Sequence, residues 1–260
     1  MGTTNATTEI VEVDLVDLSD WLRSHNLRLY RSFTDEGDLI GEAVSVPDAA
    51  PLVGLTGSQE WPDGDNGLIV ERVVAALLRA GRHIATGCAV GADQAAINAV
   101  LQADQAQRLT VYAAFGPQEQ GSEDGLAVDT VRRAFDAGAH VHWWAGASRW
   151  LSPHKKARLP LDRRLANCSQ ALVRAVAGSA QKQPGAGLVA FAAAPPPRLL
   201  PESGSWATVA AAAARKEVPV VVFATGFPEG RLPQLPGGEG RWVRAGESGV
   251  WVMGWRWAPG

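Results

Sequence analysis

HIATGCAVGADQAAINAV, residues 83–100, opens on four residues of strand character, turns through a glycine-spaced loop and runs on without a break into a helical stretch. Repeated along a chain, this strand–turn–helix unit describes a parallel sheet, because parallel strands need crossovers long enough to hold a helix. The unit recurs on both sides. Upstream, LVGL (52–55) is a strand leading into TGSQEW. NGLIVERVVAALLRAG (66–81) is a helix with Val70, Val73, Val74 and Leu77 on one face and Gly81 as its stop.

Downstream, LTVYAAF is a third strand, LAVDTVRRAFDAG a third helix and HVHWW a fourth strand. LPLDRRLANCSQALVRAV places Leu161, Leu165, Cys168, Leu172 and Val176 at steps of three and four, which predicts one helix. GLVAFAAA and VPVVVFATG are two further strands with an alanine-rich helix between them. The fold class expected is therefore α/β. A Rossmann-like, mostly parallel sheet with helices on both faces occupies residues 51–226, with small β-hairpin attachments at both ends.

Residues 1–50 read as an extension, with a short helix around LSDWLRSHN and hairpin character in LRLYRSF and IGEAVSV. Residues 227–260 read as a Pro/Gly-rich linker followed by a Trp-rich hairpin, and the two hairpins are expected to pair as a small appended sheet.

With 46% hydrophobic and 20% charged residues over 260 positions, the composition is that of a globular chain rather than a disordered one. No apolar run approaches the roughly 20 residues that a membrane-spanning helix needs. The start, MGTTNATTEI, has neither the basic nor the apolar segment of a signal peptide. Two cysteines make no disulfide framework, so a cytoplasmic location is expected. A net charge of −3 means that any affinity for nucleic acid must come from a local patch.

In a parallel sheet, the loops at the carboxyl ends of the strands converge on one edge, and the following helices aim their amino termini there. Three such loops are rich in small residues: Thr56, Gly57 and Ser58; Gly87 to Asp93; and Ser203, Gly204, Ser205 to Thr208. Glycine lets backbone approach a ligand, while hydroxyls and free helix amides donate to phosphate oxygens. Each loop alone also reads as an ordinary helix start or turn.

Taken together, VGLTGSQEW, LLRAGRHIATGCAVGADQAA, LTVYAAF, DRRLANCSQALV, LVAFAAAP and ESGSWATVAAAAARKEVPVVVFATG resemble, in order, the segments of the Rossmann-like domain of the DNA-processing protein A (DprA/Smf) family. That family stands with the lonely-guy phosphoribohydrolases in the SLOG superfamily. The resemblance implies a nucleotide- or phosphate-binding set of Thr56, Gly57, Ser58, Gly87, Gly91, Ala92, Asp93, Ser203, Gly204, Ser205 and Thr208. Arg163 and Arg164 resemble the Arg-Asn-Arg segment of the DprA family, although Asp162 and the missing asparagine make that match partial. The lonely-guy hydrolases carry a catalytic glutamate where this chain has Ala211, so N-glycosidic hydrolysis is not expected and no catalytic residue is assigned.

RWLSPHKKARLPLDRR (149–164) supplies Arg149, Lys155, Lys156, Arg158, Arg163 and Arg164 against the single acid Asp162. Beside Trp143, Trp144 and Trp150, these cations combine phosphate neutralisation with stacking surfaces, as single strands require, or they form an ordinary solvated loop. His140 and His142 share a strand face but lack a third ligand, so packing is favoured over zinc. Cys88 lies near a helix amino terminus, where it is either a reactive thiol or a small residue filling a turn.

Three functions follow as expectations. The first is a non-catalytic, DprA-like binder of single-stranded DNA acting in DNA processing or recombination. The second is a sensor or processing enzyme of a small nucleotide. The third is a scaffold whose Trp-rich C-terminal hairpin meets a protein partner, with a homo-oligomer open. No cofactor, metal or membrane is expected.

Overall fold

In the computed structural model, residues 28–33, 39–45, 50–61, 65–148, 150–193, 204–224, 232–235 and 239–260 are described. The chain divides into two units, Met1–Ala49 and Ala50–Gly260. In the first, β1 (Arg28–Phe33) and β2 (Leu39–Ser45) pair antiparallel as a two-stranded sheet of their own. The helix expected around residues 18–26 and the turn between the strands lie outside the described residues.

The second unit is a Rossmann-like α/β fold. Its strands and helices alternate: β3 (Leu52–Gly57), α1 (Asp65–Arg79), β4 (His83–Thr86), α2 (Ala92–Gln102), β5 (Leu109–Tyr112), α3 (Val128–Asp136) and β6 (His140–His142). There follow α4 (Pro153–Ala157), α5 (Leu161–Ala180), β7 (Gly187–Ala192), α6 (Ser205–Ala213) and β8 (Val220–Ala224). The short helix α4 was not read from the sequence.

An eight-stranded sheet runs in the order β6-β5-β4-β3-β7-β8-β10-β9, with β9 (Gly240–Arg244) and β10 (Trp255–Pro259) closing the chain. All neighbours from β6 to β8 are parallel, and β10 is antiparallel to both β8 and β9. The C-terminal hairpin therefore prolongs the main sheet. It shares no sheet with β1 and β2, which corrects the expected pairing of the two hairpins. The physical reason is register: Trp255 and Arg256 pair with Val222 and Val221, so the hairpin covers the edge that β8 would otherwise leave bare.

From β3 the chain steps outward through β4, β5 and β6, then crosses back to β7 on the other side of β3. Right-handed crossovers in the two directions put α1, α2 and α3 on one face and α5 and α6 on the other. The packing agrees: α1 rests on α2, α2 on α3, and α5 on α6. Gly54 shows why α5 sits so close to β3, since a side chain there would press on Val176, Leu188 and Leu172. The core is built mainly of apolar residues, with Leu55, Ile84, Leu109, Leu188, Phe191 and Phe223 among those fully buried.

The Trp-rich end belongs to this core. Trp257 is buried and meets Trp242 edge-on at 5.3 Å, Trp251 lies 6.0 Å from Phe223, and the Trp242 indole donates to the Pro233 carbonyl at 2.8 Å. Arg244 lies over the Trp255 ring at 4.1 Å.

The reversal between outward and returning strands falls between β3 and β7, and backbone contact there is very close. Gly91, with φ +85°, lies so near the Ser58 and Gln59 carbonyl oxygens that a Cβ would collide with both. Gly91→Ala is expected to lower stability by about 2 kcal/mol or more, combining positive-φ strain with a backbone clash. A urea midpoint within error of the parent would refute that close approach.

Candidate functional site

Ligands of open α/β sheets bind beyond the carboxyl ends of the strands where the winding direction reverses. At that place this chain has a cleft of about 420 Å³. Thr56, Gly57, Ser58, Gly87, Asp93, Gly204 and Ser205 line it, so residues from all three small-residue loops meet in one cavity.

Ser58 makes the junction. Its amide donates to the Phe191 carbonyl at 2.8 Å, its hydroxyl accepts the Ala193 amide at 3.0 Å, and its carbonyl accepts the Ala92 amide at 3.2 Å. A hydroxyl that accepts from a fixed amide still has its proton to donate. Gly57 is glycine for packing, because a Cβ there would collide with that of Ala92 and approach the Phe191 carbonyl oxygen to 2.8 Å.

The remaining loop residues do other work. Gly91 and Ala92 line no part of the cleft; they let the start of α2 press against the first loop. Thr208 is buried, and its hydroxyl donates to the Gly204 carbonyl at 3.1 Å one turn back along α6. Ser203 lies outside the described residues. Gly204 precedes α6 with φ +89°, no side chain among the described residues caps that helix, and the Thr208 amide donates to the Gly204 carbonyl. Gly204 and Ser205 line the cleft, so the first turn of α6 lies at its edge, and helix starts are places that accept anions.

Asp93 differs from the rest of the lining. Its Oδ2 accepts the Ala89 amide at 3.3 Å, and Oδ1 is buried. The Thr86 hydroxyl, likewise buried, stands beside this carboxyl as its hydrogen-bonding neighbour. Burial pushes the Asp93 carboxyl up to about 7, against the opposing pull of the Ala89 amide and the nearby Thr86 hydroxyl. A side chain at Gly87 would collide with Oδ2, so only glycine leaves this carboxyl in place.

Sequence reasoning missed Gln59, Glu60, Asp162, Leu165, Cys168, Ser169 and Ala193, which also line the cleft. The spacing of Asp162, Leu165 and Ser169 marks one face of α5, but nothing local says that this face turns to the switch point. Their inclusion changes the electrostatics. Among the described residues, the lining holds three carboxylates, Glu60, Asp93 and Asp162, and no lysine, arginine or histidine.

The described cations of the basic stretch lie in different environments. Arg164 is buried: its guanidinium donates to the carbonyls of Leu159 at 3.0 Å, Ala114 at 2.9 Å and Gly121 at 2.6 Å, and pairs with Glu123. It fastens the loop after β5 to the start of α5, which removes it from any phosphate-contacting set. Lys155, Arg158 and Arg163 are exposed and Lys156 is half-buried, whereas Arg149 lies outside the described residues. Of the three neighbouring tryptophans, Trp144 is buried and Trp143 packs edge-on against Phe115 and Phe135 at 5.7 Å each. Trp150 is 82% exposed.

His140 and His142 meet edge-on at 4.4 Å, Tyr112 stacks on His142 at 4.9 Å, and His83 bonds Thr110 at 3.0 Å. Burial holds all three imidazoles below their ordinary value, His83 and His142 at about 4, and the charge of His140 adds to that depression in both. No cluster of three metal-ligating side chains occurs among the described residues. Cys88 is fully buried, with its sulfur accepting the Ala114 amide at 3.1 Å. The Cys168 thiol is pushed up by its hydrogen bond with Cys88 and by burial. These are packed thiols. Ala211 is exposed on α6 and lines no part of the cleft. No helix among the described residues is long and apolar enough to cross a membrane.

The sequence matches no protein-family model, and no curated protein is significantly similar to it.

The Asp93 shift carries a pH signature. Its folded-state value of about 7 lies above the ordinary 3.8, so the folded protein holds a proton that the unfolded chain has released between about pH 4 and 7. Stability from this group is therefore present in acid and lost as pH rises through 7. Asp93→Asn should gain about 3 kcal/mol over the parent at pH 8 relative to its difference at pH 4.5. Melting temperatures of both proteins across that range check it, and a difference that does not vary with pH would contradict it.

Proposed function

We propose that the switch-point cleft binds a small nucleotide, with one phosphate at the start of α6 and the sugar toward the end of β4. The observation that carries this reading is the meeting of three small-residue loops in one cavity of about 420 Å³ whose described lining has carboxylates and no cations. A volume of this size falls in the range of small-molecule pockets. The amides of a helix start accept a single phosphate well. Carboxylates accept from sugar hydroxyls and repel a run of phosphates, so a polyphosphate or a strand threaded through the cleft would meet uncompensated like charge. The loops that resemble the DprA family fit the same class of ligand, as implied by the nucleotide-binding members of its superfamily. With Ala211 at the hydrolase position, binding or sensing is favoured over N-glycosidic cleavage.

A second reading, single-stranded DNA on the outer surface, is favoured by one observation: Trp150 stands exposed in the same stretch as the exposed Lys155, Arg158 and Arg163. Stacking and phosphate neutralisation would then lie outside the cleft.

A thermal-shift panel of the four ribonucleoside 5′-monophosphates tests the first reading. At least one is expected to raise the melting temperature by several degrees, since saturation at about a hundred times Kd adds about 2.7 kcal/mol. Ser169→Trp, which fills the cleft from α5, should remove the shift while leaving the circular dichroism spectrum unchanged. No shift with any nucleotide, together with oligonucleotide affinity that collapses with salt and with Lys155→Glu/Arg158→Glu, would replace this reading with the second.

A further inference from the structure

His83, His140 and His142 gather at one end of the main sheet. Thr110 pairs with His140 and Tyr112 with His142, and Ala85, two residues beyond His83, pairs with Thr110, so all five of these side chains share a face. It is the α5 side, because Ala85 also pairs with Gly54, the glycine that makes room for Val176 and Leu172. There α5 packs on β3, β5 and β7 and α6 on β3, β7 and β8, so the histidine end of the face lies beyond their main contacts. All three imidazoles are half-buried. They are bound to one another and to β5: His83 bonds the Thr110 hydroxyl at 3.0 Å, His140 meets His142 edge-on at 4.4 Å, and His142 stacks on Tyr112 at 4.9 Å. β6 is three residues long, and β5 is its one strand neighbour among the described residues.

The charges acting on this cluster are all positive. His140 acts on both His83 and His142, and Arg108, in the turn before β5, acts on His83. No carboxylate is among them: Asp129 and Asp136 of α3, which packs against β6, are exposed, and Asp162 of α5 lies at the cleft. A proton added to one ring therefore meets a partly dry site with like charge beside it.

We propose that the β6 end of the sheet is an acid-sensitive device, in which imidazolium charge on His83, His140 and His142 releases β6 from β5 while the rest of the sheet stays folded. The released form takes up protons at the ordinary value of 6.5, whereas the folded form holds His83 and His142 at about 4. The grip on β6 is therefore complete above pH 6.5 and is lost as pH falls toward 4. Each of those two rings favours release by roughly 70-fold at pH 4.5 relative to pH 7.5. Asp93 responds in the opposite sense, so a global melting curve mixes the two effects and a site-resolved measurement is needed.

The experiment is hydrogen exchange of the full chain at pH 7.5 and 4.5, corrected for the intrinsic rate at each pH. Protection is expected to fall about tenfold or more in residues 139–145 and at the Ala113 amide, which donates to the His142 carbonyl at 3.0 Å, while β7 and β8 keep theirs. In His83→Gln/His140→Gln/His142→Phe, where Phe retains a ring against Tyr112, the fall should shrink to about threefold or less. A uniform loss across the sheet, no loss at β6, or an undiminished loss in the folded variant overturns the proposal. Should that variant not fold, proton titration of the three imidazoles in the parent by NMR decides. At least two midpoints below about pH 5.5 support the device, and three ordinary midpoints near 6.5 overturn it.

Discussion

Ser58 fastens three elements of the second unit at the point where its winding direction reverses. Three hydrogen bonds from one residue join the end of β3 to the end of β7 and to the first turn of α2. These are the elements on either side of the winding reversal, and the bonds carry the β3–β7 ladder past its last pair, Gly57 and Phe191, into the loop that follows. The closeness they require explains the small residues around them. Gly57 and Gly91 have no room for a Cβ, and the buried Ala92 side chain stands where one at Gly57 would fall. The same tight stitching leaves the cleft just above it, bounded by the loop after β4, the start of α6 and one face of α5.

Charge decides what that cleft can take. Arginine is the residue expected at a phosphate site, yet the arginine nearest in sequence to the cleft's Asp162 that is also buried, Arg164, is directed at backbone carbonyls and Glu123. A buried guanidinium with its donors so satisfied is a structural clamp. What remains for a ligand is a helix start for one anionic group and a set of carboxylates for hydroxyls. Exposed cations lie on the surface of α4 and early α5, where solvent screens them. The two kinds of surface suit different ligands, a compact one with few charges and an extended one with many.

Much of the fold was legible because its signals are local. The strand–turn–helix of residues 83–100 became β4, the glycine loop and α2, and the three- and four-residue spacing from Leu161 to Val176 became α5. The convergence of the loops followed from topology alone. What could not be read is what depends on the side of an element that faces inward. Arg163 and Arg164 are adjacent and chemically alike, but about 100° of helix rotation exposes one and buries the other. Trp143 and Trp144 looked like stacking surface until Phe115 and Phe135 were brought beside the first and the second was buried. The C-terminal hairpin was recognised, but its partner was not, since strand pairing at a sheet edge is set by register with β8 and leaves no mark in the hairpin itself. Asp162 stood out only as an acid among cations; its place at the cleft required α5 to be laid across β3.

The most direct test is hydrogen–deuterium exchange of the whole chain with and without a saturating ribonucleoside 5′-monophosphate. Protection confined to residues 56–60, 87–93 and 204–208 is the result predicted for a ligand seated at the reversal point. Protection limited to residues 150–164, or absent altogether, would contradict a nucleotide cleft at the switch point.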